Sequence, residues 1–253
     1  MQNVQKAQHH KMDIQKWWVN DDIYCQRLTA DYLEEATKML ETSFYPQENV
    51  CMVLGISEDL EAVRELRDLT NAAAKDGISV IAIDKKTNKV VGTAFNKIQV
   101  KNDPVFENFA KSWKSPRSKA LVELMSEIDS LCNLFDYCQT DCLLELMFLG
   151  TTTEYRGKGI AKKLSEITFE IGTNLAKGVN ARKSLDGTEL PLGPRPKIIS
   201  AIFATIATQK IGRRLGFEVV AEKFYNEMDF QGTKFSDVIT NGSTKLTLEY
   251  KKL

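Results

Sequence analysis

The sequence predicts an α/β protein of the α+β type, in which a central, mixed but mostly antiparallel sheet is flanked by helices. Two observations carry this. The spacing of apolar residues switches back and forth between a helical period and the alternation of a strand, giving the order β-α-α-β-β-α-α-β-α-β-α-β-β. The chain of 253 residues is also 43% hydrophobic and 27% charged, enough apolar material for a real core and far from the balance of a disordered chain. The expected organisation is an N-terminal arm over residues 1–21 and a single domain over 22–253.

The arm has no periodicity, and Trp17 and Trp18 are its expected anchor. Ile23 to Leu28 reads as a strand. Thr29 is placed to cap a helix with Leu33, Ala36, Leu40 and Phe44 at helical spacing, which Pro46 stops. Ser57, ahead of Glu58 and Asp59, signals a second helix with Leu60, Val63, Leu66 and Leu69 as its apolar stripe and Gly77 beyond its end. The period then changes to two: 78–84 and 90–100 form a hairpin across the polar turn 85–89. Residues 104–138 return to helical spacing, with Leu121, Leu124, Ile128, Leu131 and Phe135 on one face. Leu143 to Leu149 reads as a buried strand, followed by a helix over 157–176. Residues 178–196 hold Pro191, Pro194, Pro196, Gly187 and Gly193, and are too long for an ordinary connection, so an insertion in the form of a surface loop is expected there. A strand over 198–206, a short helix ending at Leu215-Gly216 and strands near 217–224 and 244–250 close the chain.

Charge narrows the classes of function. The 34 basic and 34 acidic residues cancel, so no global field draws the protein to nucleic acid or an anionic membrane, and any anion site is local. The longest nearly apolar stretches, 142–149 and 198–207, fall short of the roughly 18 residues of a membrane span. Lys6, Lys11 and Lys16 have no apolar run behind them, unlike a secretory signal. Five cysteines without a C-x-x-C pair read as reduced thiols, in keeping with an expected cytoplasmic location, and a monomer is the expected state. His9 and His10, the sole histidines, sit together in the arm and read as a solvated pair, which leaves no zinc set and no expected metal.

The chemistry concentrates at Leu149-Gly150-Thr151 and the following Arg156-Gly157-Lys158-Gly159-Ile160-Ala161, a strand, glycine turn and helix in succession. Glycines at 157 and 159 let backbone N–H groups converge on a phosphate at a helix N-terminus. Arg156, Lys158, Lys162 and Lys163 face a single anion, Glu154, over residues 154–163. A solvated glycine turn is the plain alternative. A nucleotide P-loop fails, because six residues separate Gly150 from Gly157 and Gly159 stands where a magnesium-binding hydroxyl belongs. The third pattern has arginine or glutamine, two residues, glycine, one residue, then glycine or alanine; residues 156–161 match every fixed position.

That loop, with the hairpin before it and the Leu215-Gly216-Phe217 turn after it, resembles the GNAT acetyltransferases over residues 22–252. The segment Ser43-Phe44-Tyr45-Pro46-Gln47-Glu48-Asn49 looks like the one that presents a catalytic glutamate in the insect arylalkylamine N-acetyltransferases. The resemblance implies a GNAT fold and an acetyl-CoA-dependent N-acetyltransferase acting on a small primary amine, with acetyl-CoA as cosubstrate. It implies that the backbone of Leu149, Gly150 and Thr151 holds the pantetheine arm, that residues 156–161 hold the pyrophosphate, and that Glu48 is the general base. Three departures accompany it. Gln47 replaces an acidic residue, Gly212 stands where many such enzymes place a tyrosine acid, and Ala204, Thr205 and Thr208 are the nearest matches to the serines of the insect enzymes. Thr208 is the candidate hydroxyl, although a thiol that ionises near about 8.5 needs little help in leaving. Lys210, Arg213 and Arg214 form either a solvated helix face or a subsite for the coenzyme's 3′-phosphate. A peptide N-acetyltransferase and a non-catalytic acyl-CoA-binding protein are the alternative readings.

Overall fold

The computed structural model describes residues 15–253; His9 and His10, and most of the arm, lie outside them. In chain order its elements are β1 (Trp17–Trp18), β2 (Ile23–Arg27), α1 (Ala30–Met39), α2 (Asn49–Val53), α3 (Leu60–Ala74), β3 (Val80–Asp84), β4 (Lys89–Val100), α4 (Val105–Lys111), α5 (Pro116–Leu131) and α6 (Leu134–Tyr137). The second half adds β5 (Cys142–Thr151), α7 (Ile160–Ala176), β6 (Ile198–Phe203), α8 (Ile206–Leu215), β7 (Glu218–Phe224), β8 (Asp229–Phe230), β9 (Thr233–Lys234), α9 (Phe235–Val238) and β10 (Lys245–Lys252).

Eight strands form one sheet in the order β1-β2-β3-β4-β5-β6-β10-β7. Every neighbour pair is antiparallel except β5 and β6, which are parallel and register only at Leu144 with Ile199 and Glu145 with Ser200. Beyond that point β5 runs on to Thr151 paired with β4 alone, so the two parallel strands part company within the sheet.

Each face of the sheet carries its own core. Leu40, Leu66, Leu121 and Ile128 from α3, α5 and the end of the first helix pack with Ile81, Phe95 and Phe148 on one face, whereas Leu164, Ile167, Ile171 and Leu175 of α7 pack with Val80, Leu144 and Leu146 on the other. Strand β5 switches phase between them. Its register shifts where Phe95 opposes Phe148 but Asn96 opposes Leu146, so Met147 and Phe148 both lie on the α3–α5 side. Glu145, two residues before Met147, shares that side by strand alternation.

Several sequence expectations change in detail. Trp17 and Trp18 pair with Cys25 and Tyr24, so the hairpin to β2 crosses the expected arm boundary at residue 21. The first helix ends at Met39 and continues as a π turn over Leu40–Phe44. Asp59, not Ser57, caps α3 by accepting from Glu61 and Ala62 N–H, and Leu60 is 86% exposed because the inward stripe starts at Ala62. Residues 104–138 break into three helices, leaving Leu131 53% exposed at the end of α5. Helix α7 begins at Ile160, three residues later than expected, because Gly157 and Gly159 take φ of 77° and 81°. The insertion is more than a surface loop: Lys183 N–H donates to Gly77 O, Leu185 O accepts from Ala30 N–H, and the Leu185 side chain packs on the core. The sequence showed no sign of α2 or of the 229–238 segment.

Candidate active site

The parting of β5 from β6 opens a cavity of about 1180 Å³, lined by residues 146–151 of one strand and 200–208 on and after the other. At one end lie Arg156, Gly157 and Gly159, which open α7. A Cβ built on either glycine meets no atom within 4 Å, so both positions face open space. Both glycines take positive φ just ahead of α7, whose first-turn N–H groups have no intrahelical acceptor. Cations surround that open space. Lys162 bonds Glu166 at 2.5 Å and Lys158 lies over the Tyr155 ring at 4.3 Å, whereas Arg156 is exposed and forms no ion pair among the described residues. The Tyr155 hydroxyl donates to Asp84 Oδ2 at 2.7 Å, tying the loop to the β3–β4 turn.

Gly150 and Thr151 line the same cavity. Since β4 takes the hydrogen bonds of alternate residues on one edge of β5, the intervening N–H and C=O groups point toward β6, where no strand pairs with them. Gly92 on β4 lets α7 come close: a Cβ there would stand 2.6 Å from Ile160 Cγ2. Free backbone donors, a glycine-lined anion cradle and a slot between parted strands together fit a long nucleotide thioester such as acetyl-CoA.

Glu48 enters from the other side of the cavity. It is the N-cap of α2, and its Oε2 accepts from Cys51 N–H at 2.8 Å. Glu48 is half-buried, and burial pushes its carboxyl above the ordinary value while the N–H groups of Cys51 and Val50 pull it down. Beside the carboxylate, burial drives the Cys51 thiol well above its ordinary value. Gln47 also lines the cavity, and its Nε2 donates to Thr153 Oγ1 at 3.0 Å and staples the Glu48 segment to the turn before the glycine loop.

Thr205 and Thr208 also line the cavity, but their hydroxyls cap α8. Thr208 Oγ1 accepts from Thr205 N–H at 3.2 Å and lies 3.0 Å from both Thr205 O and Thr205 Oγ1, so this hydroxyl serves as part of the helix cap. Gly212 has a packing reason: a Cβ there would lie 2.4 Å from Glu249 Oε2 and 2.6 Å from the Phe203 ring, which leaves no room for a tyrosine. Of the cationic triad on α8, Arg214 reaches the cavity wall.

Sequence reasoning missed the far wall. Met125, Ser126 and Asp129 of α5 line the cavity together with Gln99 and Glu145. Gln99 Nε2 donates to Glu145 Oε2, and burial raises the Glu145 carboxyl. Asp129 is an exposed residue on the cavity wall, and its carboxyl is pushed up to about 7 by desolvation on the cavity side and by the charge of Glu145. The helical period of α5 places Asp129 among its polar residues and gives no sign that it lines a cavity. No group of His, Cys, Asp and Glu suited to a metal ion occurs among the described residues, and none of their helices is long and apolar enough to cross a membrane.

No family model matches the chain. Among solved structures it is similar to arylalkylamine N-acetyltransferase 2 from Aedes aegypti, at 20% identity and a TM-score of 0.75, over 92% of this chain and 99% of that one. It is similar to the polyamine N-acetyltransferase of Drosophila melanogaster, which forms N-acetylagmatine, at 14% identity and a TM-score of 0.69, over 92% and 100% of the two chains. A third likeness is to the C-terminal condensation domain of Ebony in complex with β-alanyl-dopamine, at 15% identity and a TM-score of 0.64, over 91% and 99%. Identities this low speak for architecture alone, and the architecture of this chain is the GNAT acetyltransferase fold.

Proposed function

We propose that the protein is an acetyl-CoA-dependent N-acetyltransferase for a small amine of the arylalkylamine type. The observation that carries the reading is the meeting of Glu48 and the open glycine loop in one cavity, across the parted strands β5 and β6. An alkylammonium that ionises near about 10 is no nucleophile until it loses a proton. Glu48, held by Cys51 N–H, takes that proton directly or through water. The amine nitrogen then bonds to the acetyl carbonyl carbon, the tetrahedral adduct gives up a second nitrogen proton to water, the carbon–sulfur bond breaks, and the sulfur departs as thiolate, which takes up a proton from water on release. Backbone N–H groups of β5 that face β6 stabilise the oxyanion. Gly157, Gly159 and Arg156 hold the pyrophosphate, and Lys158 and Lys162 add positive charge. Phe44, Phe148, Leu121 and Met125 on the cavity wall suit the apolar body of an arylalkylamine. Helix α5 covers this side, which favours a small molecule over a peptide.

A second reading, an amine with a further cationic group, is favoured by Glu145 and Asp129 on the same wall. Thiol release from acetyl-CoA, measured with arylalkylamines, diamines and guanidino-amines, and short peptides, separates these. Turnover of an arylalkylamine is expected, with Glu48→Ala lowering kcat by about 10² to 10⁴ and leaving the KM for acetyl-CoA nearly unchanged. The wild type should lose kcat/KM on the acid side, through an ionisation displaced upward from the ordinary carboxylate range, and Glu48→Ala should lack that limb. Coenzyme binding without turnover would return the non-catalytic reading, and a preference for peptides the protein-acetylating one.

A further inference from the structure

We propose that Asn49 is a positioning residue that holds Glu48 in register with the far lip of the coenzyme slot, an inference that rests on Glu48 being the base. Helix α2 has five residues, too few to be stable as an isolated helix, so something outside it must fix where its N-cap stands. Asn49, its first residue, is fully buried. The Asn49 Nδ2 donates to Ala204 O at 2.7 Å and to the Tyr225 hydroxyl at 3.3 Å, and Oδ1 accepts from Asn241 Nδ2 at 2.7 Å. The Tyr225 hydroxyl itself donates to Ala204 O.

These partners lie 155, 176 and 192 residues further along the chain. Ala204 follows the end of β6 and lines the cavity, as does Asn241. Asn241 Oδ1 accepts from Ser243 N–H, and Ser243 Oγ accepts from the first N–H of α8. One amide side chain thus bolts the helix that carries Glu48 to the strand end on the opposite side of the slot. Tyr225 is no rival proton donor: its hydroxyl hydrogen is engaged at Ala204 O, it lies off the cavity wall, and burial pushes it above its ordinary value. The titratable groups acting on or acted on by Glu48 are Cys51 and Tyr225.

The test is a cycle of variants read by steady-state kinetics. Asn49→Ala should lower kcat about tenfold or more while the KM for acetyl-CoA stays within about twofold. The acid limb of kcat/KM should move to lower pH, because a loosened Glu48 gains water and its carboxyl falls back toward the ordinary value. In the Glu48→Ala background the same change should cost less than about twofold, since residues acting through one another are not additive. Tyr225→Phe, whose ring remains stacked on Phe235, and Asn241→Ala, at an exposed position, should give smaller losses in the same pattern, and they decide the matter if Asn49→Ala does not fold. An unmoved acid limb, or losses that multiply in full in the Glu48→Ala background, would overturn the inference while leaving Glu48 as the base. Near-normal kcat in Glu48→Ala alone would overturn both.

Discussion

The glycine loop and the wall that faces it line one cavity, yet they are assembled in opposite ways. The loop side is a single run of chain, from Leu149 on β5 through Ala161 on α7, and its parts are set by neighbours in sequence. The acceptor side draws Glu48 from before α2, Asp129 from α5, Glu145 from β5 and Asn241 from the connection before β10. A helix start and two glycines make an anion cradle by local geometry alone. An amine chamber needs an enclosed volume with a base in it, and only distant segments packed together can supply that. The loop side should therefore fail through backbone changes at one position, and the acceptor side through the loss of contacts between segments.

The largest effect that separates the two sides is expected at Gly159. Gly159→Glu places a side chain on a residue with φ of 81° and sets a carboxylate in the proposed pyrophosphate site. Affinity for coenzyme A should fall by at least about 100-fold, or about 2.7 kcal/mol, in calorimetry on a folded variant. Unchanged affinity would remove the loop from the coenzyme site. Arg156→Ala leaves the backbone intact and should raise the KM for acetyl-CoA about tenfold, the scale of one charge-assisted hydrogen bond, with little change in amine affinity.

The same contrast governs what could be read from residues alone. The glycine turn from Arg156 to Ala161 was legible as the opening of a helix because contiguous residues set that geometry, and β5 and α7 because their apolar runs are long. Even there the phase switch at Met147 and Phe148 was hidden, as a bulge moves side chains to the other face without changing composition. Glu48 came from resemblance, not from periodicity, because a five-residue helix is too short to show a period. Asn49 and Tyr225 gave no signal at all, since nothing local marks a bond across 176 residues. Gly212 was legible as a missing tyrosine, but its reason, the Glu249 and Phe203 side chains pressed against it, needed the packing.

A smaller effect should expose the acceptor side. Asp129 is raised to about 7 beside Glu145, so a substrate with a second cation would favour the ionised form. If such amines are used, their KM should fall as pH rises from 6 to 8, whereas the KM of an arylalkylamine with one cation should follow its own ionisation alone. Asp129→Asn should raise the KM of the dication about tenfold and abolish the difference. An unchanged KM for the dication in Asp129→Asn would remove Asp129 from the amine-binding wall.

The smallest effect on the site is expected from residues 178–196, which sharpens the comparison by leaving both sides of the cavity alone. Gly77, which accepts from Lys183 N–H, lies just before β3, and Asp84, which accepts from Tyr155, is the last residue of that strand. The insertion and the glycine loop are thus separated by the length of β3, at opposite ends of the sheet. Replacing residues 183–189 by a short glycine-serine link removes the bonds from Lys183 to Gly77 and from Ala30 to Leu185. Two such bonds are worth about 2 kcal/mol together, so the variant should unfold at lower denaturant with an unchanged slope. Its affinity for coenzyme A should stay within about twofold of the wild type. A tenfold loss, about 1.4 kcal/mol, would mean that the far end of the sheet sets the spacing of β5 from β6. The coenzyme side would then depend on distant contacts as the acceptor side does.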